Sequence, residues 1–142
     1  MVLTLVYKLN IKTGELVFIN AGHESILTFD KDKKYDYIKS DMPPIGIVKY
    51  FTESMVKSNT INLKDKTFVV YTDGVTEGYL KNGEELGAEG VQKIIDGMSE
   101  VTPKTIVESI EKELNWGAEK LRDDITCMAI NIANTDLIKK AK

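Results

Sequence analysis

The sequence has a single cysteine, Cys127, and a single histidine, His23, among its 142 residues. One cysteine cannot form an internal disulfide framework or a zinc site built from several thiolates. One histidine likewise cannot form a zinc site built from several imidazoles. A metal ion bound by this chain would therefore have oxygen ligands, which favours a hard ion such as Mg²⁺ or Mn²⁺.

Long apolar runs are missing too, and none reaches the roughly 20 residues that a membrane-spanning helix needs. The first residues lack the basic flank and the small-residue cleavage site of a signal peptide, so we expect a cytoplasmic protein without a membrane partner. Positive charge is not in excess, since 19 Lys and Arg residues against 22 Asp and Glu residues give a net charge of −3. Nucleic acids favour a basic face, so no nucleic-acid partner is expected.

Apolar residues make up 42% of the chain, enough to bury the core of one domain. Apolar residues at helical spacing predict two amphipathic helices, around 91–98 and around 106–114, the second of them behind a cap at Thr102 and Pro103. Runs rich in β-branched and aromatic residues predict strands over 2–9, 15–19, 25–29, 35–39, 52–62, 67–72 and 125–132. This order predicts an α+β fold with helices on one face of a mostly antiparallel sheet.

Acidic residues stand at the ends of two of the apolar strands. Asp73 follows the strand over 67–72, and the Asp-Gly pair lets the backbone turn while the carboxylate projects from the sheet edge. Asp123 and Asp124 stand just before the last strand, which must return to the sheet formed first. Adjacent strand residues face opposite sides, so only one of these two carboxylates can point directly into a given site.

Each of these acids, taken separately, is commonest as a turn or loop residue, and a soluble α+β domain with acidic turns is one interpretation. Taken together, three acids at strand ends would repel one another unless a cation neutralised them. Two hard ions held by carboxylates can activate a hydroxide for in-line attack on phosphorus. The second interpretation is therefore a metal site that acts on a phosphoryl group.

Five short segments extend the argument to most of the chain. They are Ala21-Gly22-His23, Pro44-Ile45-Gly46, 71–77 (Tyr-Thr-Asp-Gly-Val-Thr-Glu), 83–87 (Gly-Glu-Glu-Leu-Gly) and Asp123-Asp124-Ile125-Thr126. Their order and approximate spacing resemble those of the SpoIIE-type bacterial metal-dependent protein serine/threonine phosphatases of the PPM superfamily. The resemblance implies an α-β-β-α sandwich that is truncated at its N-terminus. Residues 1–134 would be the C-terminal part of the phosphatase domain, and residues 135–142 a frayed tail.

The resemblance also implies a chemistry and a set of site residues. In this family a pair of Mn²⁺ or Mg²⁺ ions between the sheets activates a water. That water hydrolyses phosphoserine or phosphothreonine on a regulatory partner protein, commonly an anti-sigma-factor antagonist. Asp73 and Asp123 match the family's acidic ligands and are predicted to be catalytic, and Asp124 is a further candidate metal ligand. His23 is expected to have a structural role, and residues 88–98 resemble a helical switch segment through which partner domains control the site.

One departure from the family pattern affects the expected activity. No Gly-Asp motif occurs between Met1 and Gly22, although an earlier strand of the family carries one, whose Asp bridges the two metals. We therefore expect poor metal affinity and little phosphatase activity from these residues alone, with a sensor domain upstream in the parent chain. The alternative is a non-catalytic phosphatase-like module that binds a protein partner. Sheet surface and edges left open by truncation predict self-association into a homo-oligomer.

Overall fold

The computed structural model describes residues 2–114 and 124–132. The chain divides into two compact units, one formed by Met1–Phe68 with Asn131–Lys142 and the other by Val69–Ile130. The predicted tail over 135–142 and the candidate ligand Asp123 lie outside the described residues. No helix within the described ranges is long and apolar enough to cross a membrane.

The described residues form seven strands and three α-helices. The strands are β1 (Thr4–Leu9), β2 (Glu15–Ala21), β3 (Ile26–Asp30), β4 (Tyr35–Ile38), β5 (Asn59–Asn62), β6 (Lys66–Tyr71) and β7 (Cys127–Ile130). The helices are α1 (Asp73–Thr76), α2 (Gly90–Asp96) and α3 (Pro103–Leu114). The mixed content and the antiparallel pairing of β1 with β2, β2 with β5 and β3 with β4 confirm the predicted α+β class.

The predicted strand over 52–62 is wrong in its first half. A 3-10 turn occupies Glu53–Met55, where the Met55 N–H donates to the Thr52 carbonyl over 3.0 Å, and the strand β5 covers only Asn59–Asn62. None of the residues in that turn is buried. Because no side chain of this turn is buried, a strand here would not place an apolar face in the core. Local hydrogen bonds therefore determine the conformation.

The first unit is built around a three-stranded sheet in the order β1-β2-β5. Phe18 of β2 stands opposite Tyr7 on one side and opposite Asn59 on the other. Its ring lies 5.4 Å from the ring of Phe68, edge to face at 62°. Phe18 and Phe68 are both fully buried, so this aromatic pair lies in the core of the unit. The other large core residues here are Leu16, Ile26, Leu27 and Leu63.

One edge of that sheet is formed by β1, the end strand in the sheet order among the described residues. Val6, in the middle of β1, is 57% exposed, and Val2 just before it is 59% exposed. Val2 pairs with Ile45, which is itself exposed, through two backbone hydrogen bonds of 2.8 and 3.0 Å. Apolar side chains therefore continue from the edge strand onto the neighbouring loop.

The second unit contains the end of β6 and the three helices, followed by β7. Val69, Val70 and Tyr71 of β6 are all buried, as the apolar run predicts for a strand covered on both faces. The helices α2 and α3 contact each other, and α3 also contacts β7. Their buried residues are Val91, Ile95, Ile106, Ile110 and Leu114.

The predicted start of α3 is confirmed. The Thr102 hydroxyl accepts a hydrogen bond from the Thr105 N–H over 3.1 Å, and Pro103 is the first helical residue. At its other end the helix reaches the segment that follows α1. A Cβ placed on Gly78 would lie 2.8 Å from Cδ2 of Leu114, so that side chain packs directly against the Gly78 backbone.

Candidate functional site

Asp73 stands where the buried strand β6 gives way to the short helix α1. The carboxylate atom Oδ1 accepts a hydrogen bond from the Gly74 N–H over 2.9 Å. The Asp73 carbonyl accepts from the Thr76 hydroxyl over 3.0 Å and from the Glu77 N–H over 2.8 Å. Asp73 is half-buried, and its neighbours Gly74 and Val75 are fully buried. Both the backbone and the carboxylate of Asp73 are therefore fixed by local contacts.

The residues that follow α1 fold back and brace it. The Gly87 N–H donates to the Thr76 carbonyl over 2.8 Å, and the Leu86 N–H donates to the Gly78 carbonyl over 2.8 Å. Tyr79 and Glu85 form an antiparallel bridge next to these two hydrogen bonds. The sequence motif at 83–87 thus holds the helix that begins with Asp73.

The other acidic segment is fastened to the residue just before Asp73. The Thr72 N–H donates to the Thr126 carbonyl over 3.0 Å. The Thr72 hydroxyl accepts from the Thr126 N–H over 3.1 Å and donates to the Asp124 carbonyl over 3.1 Å. The backbone of Asp124 therefore lies beside the end of β6, although 52 positions separate Thr72 from Asp124. The Asp124 side chain is exposed.

The described part of this site has oxygen donors but not a complete set of ligands. Asp73 and Asp124 both carry carboxylates, a type of ligand that suits Mg²⁺ and Mn²⁺ and does not suit soft metals, and their roles as ligands stay predictions. Within residues 2–114 and 124–132, no three His, Cys, Asp or Glu side chains gather into a group that could hold a metal ion. Asp123 lies outside the described residues, so its predicted role as a ligand stays a prediction.

The turn at Ala21-Gly22-His23 is organised by two polar side chains that sequence reasoning missed. Asn20 is fully buried; its Oδ1 accepts from the His23 N–H over 3.0 Å, and its Nδ2 donates to the Glu24 carbonyl over 3.1 Å. The Ser40 hydroxyl accepts from the Gly22 N–H over 2.7 Å. Asn20 lies on the same strand face as Leu16 and Phe18. An asparagine at a position that the alternation predicts to be buried needs hydrogen-bond partners, and this was the signal that could have identified it.

His23 itself is half-buried. Its Nδ1 atom is shielded from solvent and has no hydrogen-bond partner among the described residues. The backbone of His23 is tied to Asn20, but nothing else in this turn defines a role for the imidazole. The structural role expected for His23 stays a prediction.

Cys127 lies at the start of β7, beside the helix α3. With Val107, Ile110 and Leu114 it lines a cavity of about 440 Å³. Burial raises the pKa of the Cys127 thiol to about 11. A thiol that stays protonated is a poor nucleophile, so Cys127 acts as a small apolar residue.

Residues 88–98, the predicted switch segment, contain α2 and line an open groove of about 580 Å³ in the second unit. Leu80 and Leu86 form one side of the groove, and Lys93 and Ile94 of α2 form another. The groove is mixed in character, since Glu84, Glu85, Lys112 and Glu113 also line it. Nothing in its lining tests a switching role.

Two of the three comparisons with known proteins give a match. The family model described as Stage II sporulation protein E (SpoIIE) matches residues 1–133. No curated protein matches the chain. Among solved structures, the phosphatase domain of the cell fate determinant SpoIIE from Bacillus subtilis, presoaked with Mn, has a TM-score of 0.65 at 18% identity. That match covers 94% of this chain and 57% of the other.

Two further structures have the same fold. The SiaA-PP2C domain of Pseudomonas aeruginosa has a TM-score of 0.65 at 19% identity, covering 84% of this chain and 47% of the other. The RsbU and RsbW domains of Rv1364c from Mycobacterium tuberculosis have a TM-score of 0.61 at 22% identity, covering 88% and 35%. The chain thus spans little more than half the length of the SpoIIE domain and less of the other two.

Proposed function

The chain belongs to the SpoIIE family and shares the fold of PP2C phosphatase domains, and we propose that it is the C-terminal part of a metal-dependent protein serine/threonine phosphatase domain. The observation that supports this most is the hydrogen bonding of Thr72 to Asp124 and Thr126. Those bonds put an acidic segment beside the end of β6, where Asp73 stands. Two acid-bearing chain segments at one sheet edge can supply oxygen ligands to the same hard ion.

In this proposal Asp73 and Asp123 are the catalytic metal ligands, and Asp124 is a further ligand. Mn²⁺ or Mg²⁺, when bound, supplies Lewis acidity and a lowered pKa for water. The chain's own contribution is orientation, because the hydrogen bond from Gly74 fixes one oxygen of the Asp73 carboxylate and the α1 backbone fixes its Cα. These hydrogen bonds restrict the positions that the other carboxylate oxygen can take.

The proposed substrate is a phosphoserine or phosphothreonine on a regulatory protein of the anti-sigma-factor antagonist type. A neighbouring sensor domain in the parent chain and a cytoplasmic location belong to the same proposal. The family relationship supports the class of reaction and does not identify the individual partner.

The proposal is tested by titrating the chain with Mn²⁺ in a calorimeter and by measuring hydrolysis of a phosphoprotein and of p-nitrophenyl phosphate. We expect weak Mn²⁺ binding that Asp73→Asn abolishes, and little or no turnover. Asp65→Asn, in the exposed turn between β5 and β6, is the matched control and should leave the binding heat unchanged. Mn²⁺ binding that is insensitive to Asp73→Asn would contradict the proposed ligand.

A second candidate is a non-catalytic phosphatase-like module that binds a protein partner. The incomplete ligand set favours it, since within residues 2–114 and 124–132 no three His, Cys, Asp or Glu side chains gather into a group that could hold a metal ion. This candidate predicts binding of the phosphorylated partner with no release of phosphate at saturating Mn²⁺. Release of phosphate under those conditions would exclude it.

A further inference from the structure

The Thr72 hydroxyl makes contacts that its position in the chain does not explain. Thr72 is the residue before α1, and a threonine at such a position ordinarily accepts a hydrogen bond from a backbone N–H two or three residues ahead. Here its side chain makes no capping bond. The Gly74 N–H is bound by the Asp73 carboxylate, and the Val75 N–H donates to the Thr72 carbonyl over 3.0 Å. The hydroxyl is therefore available for another partner.

That partner is the segment that leads into β7. In a regular antiparallel pair the two residues exchange both backbone hydrogen bonds, so the Thr72 carbonyl would accept from the Thr126 N–H. The Thr72 carbonyl instead accepts from Val75, at the start of α1. The Thr72 hydroxyl takes the place of the Thr72 carbonyl and accepts from the Thr126 N–H over 3.1 Å. The same hydroxyl donates its own proton to the Asp124 carbonyl over 3.1 Å.

We infer that Thr72 is a positioning residue for the proposed metal site, holding the backbone of Asp124 against the end of β6 that carries Asp73. The inference rests on the proposed function for its consequence, but the geometry stands without it. Of the three hydrogen bonds that join Thr72 to this segment, two need the hydroxyl. A hydroxyl can donate one and accept one at the same time, which no aliphatic side chain can do.

Loss of the hydroxyl should change local order more than overall stability. Asp124 and Thr126 are both exposed, so water can replace the lost partner of each backbone group. The segment would then be held at Thr72 by one backbone hydrogen bond instead of three bonds. Its position relative to Asp73 would be less defined, which weakens a binding site that needs both segments.

Three variants separate this role from general destabilisation. Thr72→Val keeps the β-branched shape and removes the hydroxyl, while Thr72→Ser keeps the hydroxyl. Thr60→Val makes the same change at an exposed position of β5. The measurements are hydrogen exchange of the Thr126 amide by NMR, Mn²⁺ affinity, and the urea midpoint of unfolding.

We expect Thr72→Val to speed exchange of the Thr126 amide and to weaken Mn²⁺ binding, the latter by about tenfold or more, as loss of a supporting hydrogen bond around a metal site does. Thr72→Ser should stay close to the parent chain in both, and Thr60→Val should change neither. Unchanged exchange at Thr126 in Thr72→Val would overturn the inference. Faster exchange with unchanged Mn²⁺ affinity would also overturn it, since Thr72 would then be a structural tie only.

Mn²⁺ binding by the parent chain tests the proposed function independently of the inference about Thr72. If the parent chain shows no Mn²⁺ binding that depends on Asp73, the proposed metal site fails, and the exchange measurement still decides whether Thr72 holds the segment of Asp124. If Thr72→Ser weakens binding as much as Thr72→Val does, the hydroxyl is not the group responsible and the inference fails while the metal site stands.

Discussion

Gly22 lies so close to Pro44 that no side chain fits between them. A Cβ on Gly22 would collide with the Pro44 ring and would lie 2.9 Å from the Pro44 backbone nitrogen. The φ angle of Gly22 is +74°, which side chains other than hydrogen rarely allow. These residues belong to Ala-Gly-His and Pro-Ile-Gly, two motifs that carry the family resemblance. Part of that pattern therefore reflects a close contact between the Gly22 backbone and Pro44.

Gly22→Ala should lower the free energy of unfolding by about 2–3 kcal/mol, because backbone strain and a collision add together. Gly83→Ala is the matched control: its φ is +85°, but a Cβ there would meet nothing within 4 Å. The control should cost about 1 kcal/mol, for the strain alone. Urea unfolding measures both, and equal losses would show that the contact with Pro44 carries no energy.

Asn20→Ala should destabilise the protein by about 2–3 kcal/mol, because it removes a fully buried side chain and leaves the part-buried hydrogen bonds to the His23 N–H and the Glu24 carbonyl unmade. Asn82 makes two similar bonds, to the backbone and the side chain of Glu84, but it is exposed. Asn82→Ala should therefore cost only about 0.5 kcal/mol. If Asn82→Ala costs as much in urea unfolding, burial is not the reason for the effect at Asn20.

The thiol of Cys127 should make stability fall at alkaline pH. Burial raises its pKa to about 11 in the folded protein, whereas an exposed thiol has a pKa of about 8.5. Below about pH 8.5 the thiol is protonated in both states, so it does not make the free energy of unfolding depend on pH. As the pH rises from there towards 11, the unfolded chain ionises while the folded protein does not, and the free energy of unfolding falls. Cys127→Ala should flatten this part of the profile. The folded protein should also react slowly with a thiol reagent near pH 8, and rapid labelling would contradict the assigned pKa.

The edge strand β1 should support the predicted self-association. It ends the sheet order among the described residues, and its central Val6 is exposed. We expect a dimer in sedimentation equilibrium that Val6→Lys shifts to monomer, because a charge at the centre of an edge strand opposes pairing. Val56→Lys, in the exposed loop after the 3-10 turn, is the control and should leave the dimer intact. A parent chain that is monomeric at every concentration would contradict the prediction.

Elements with a clear apolar pattern could be predicted from the sequence, and the stretch before β5, which lacks one, was predicted wrongly. The apolar run of β6 and the helical spacing in α3 identify both elements, because burial rewards each pattern. Residues 52–58 bury little, so their weak alternation misleads. The helix α1 has four residues and is too short to show a period, so a turn was predicted there. Alternation indicates which face of a strand is buried but not which distant residues meet.

The site shows the same limit. Asp73 can be found because an acid directly after an apolar strand is conspicuous. Thr72 and Ser40 cannot, because each is an ordinary polar residue whose partners lie far along the chain. Their roles depend on contacts between residues that lie 18 and 52 positions apart, which no local pattern encodes.

The packing of Leu114 against Gly78 gives α3 a mechanical connection to α1. A methyl group of Leu114, at the last turn of the longest helix, rests where Gly78 has no side chain, only two residues beyond the end of α1. Any shift of this end of α3 towards Gly78 would therefore meet the backbone two residues beyond the helix that begins with Asp73.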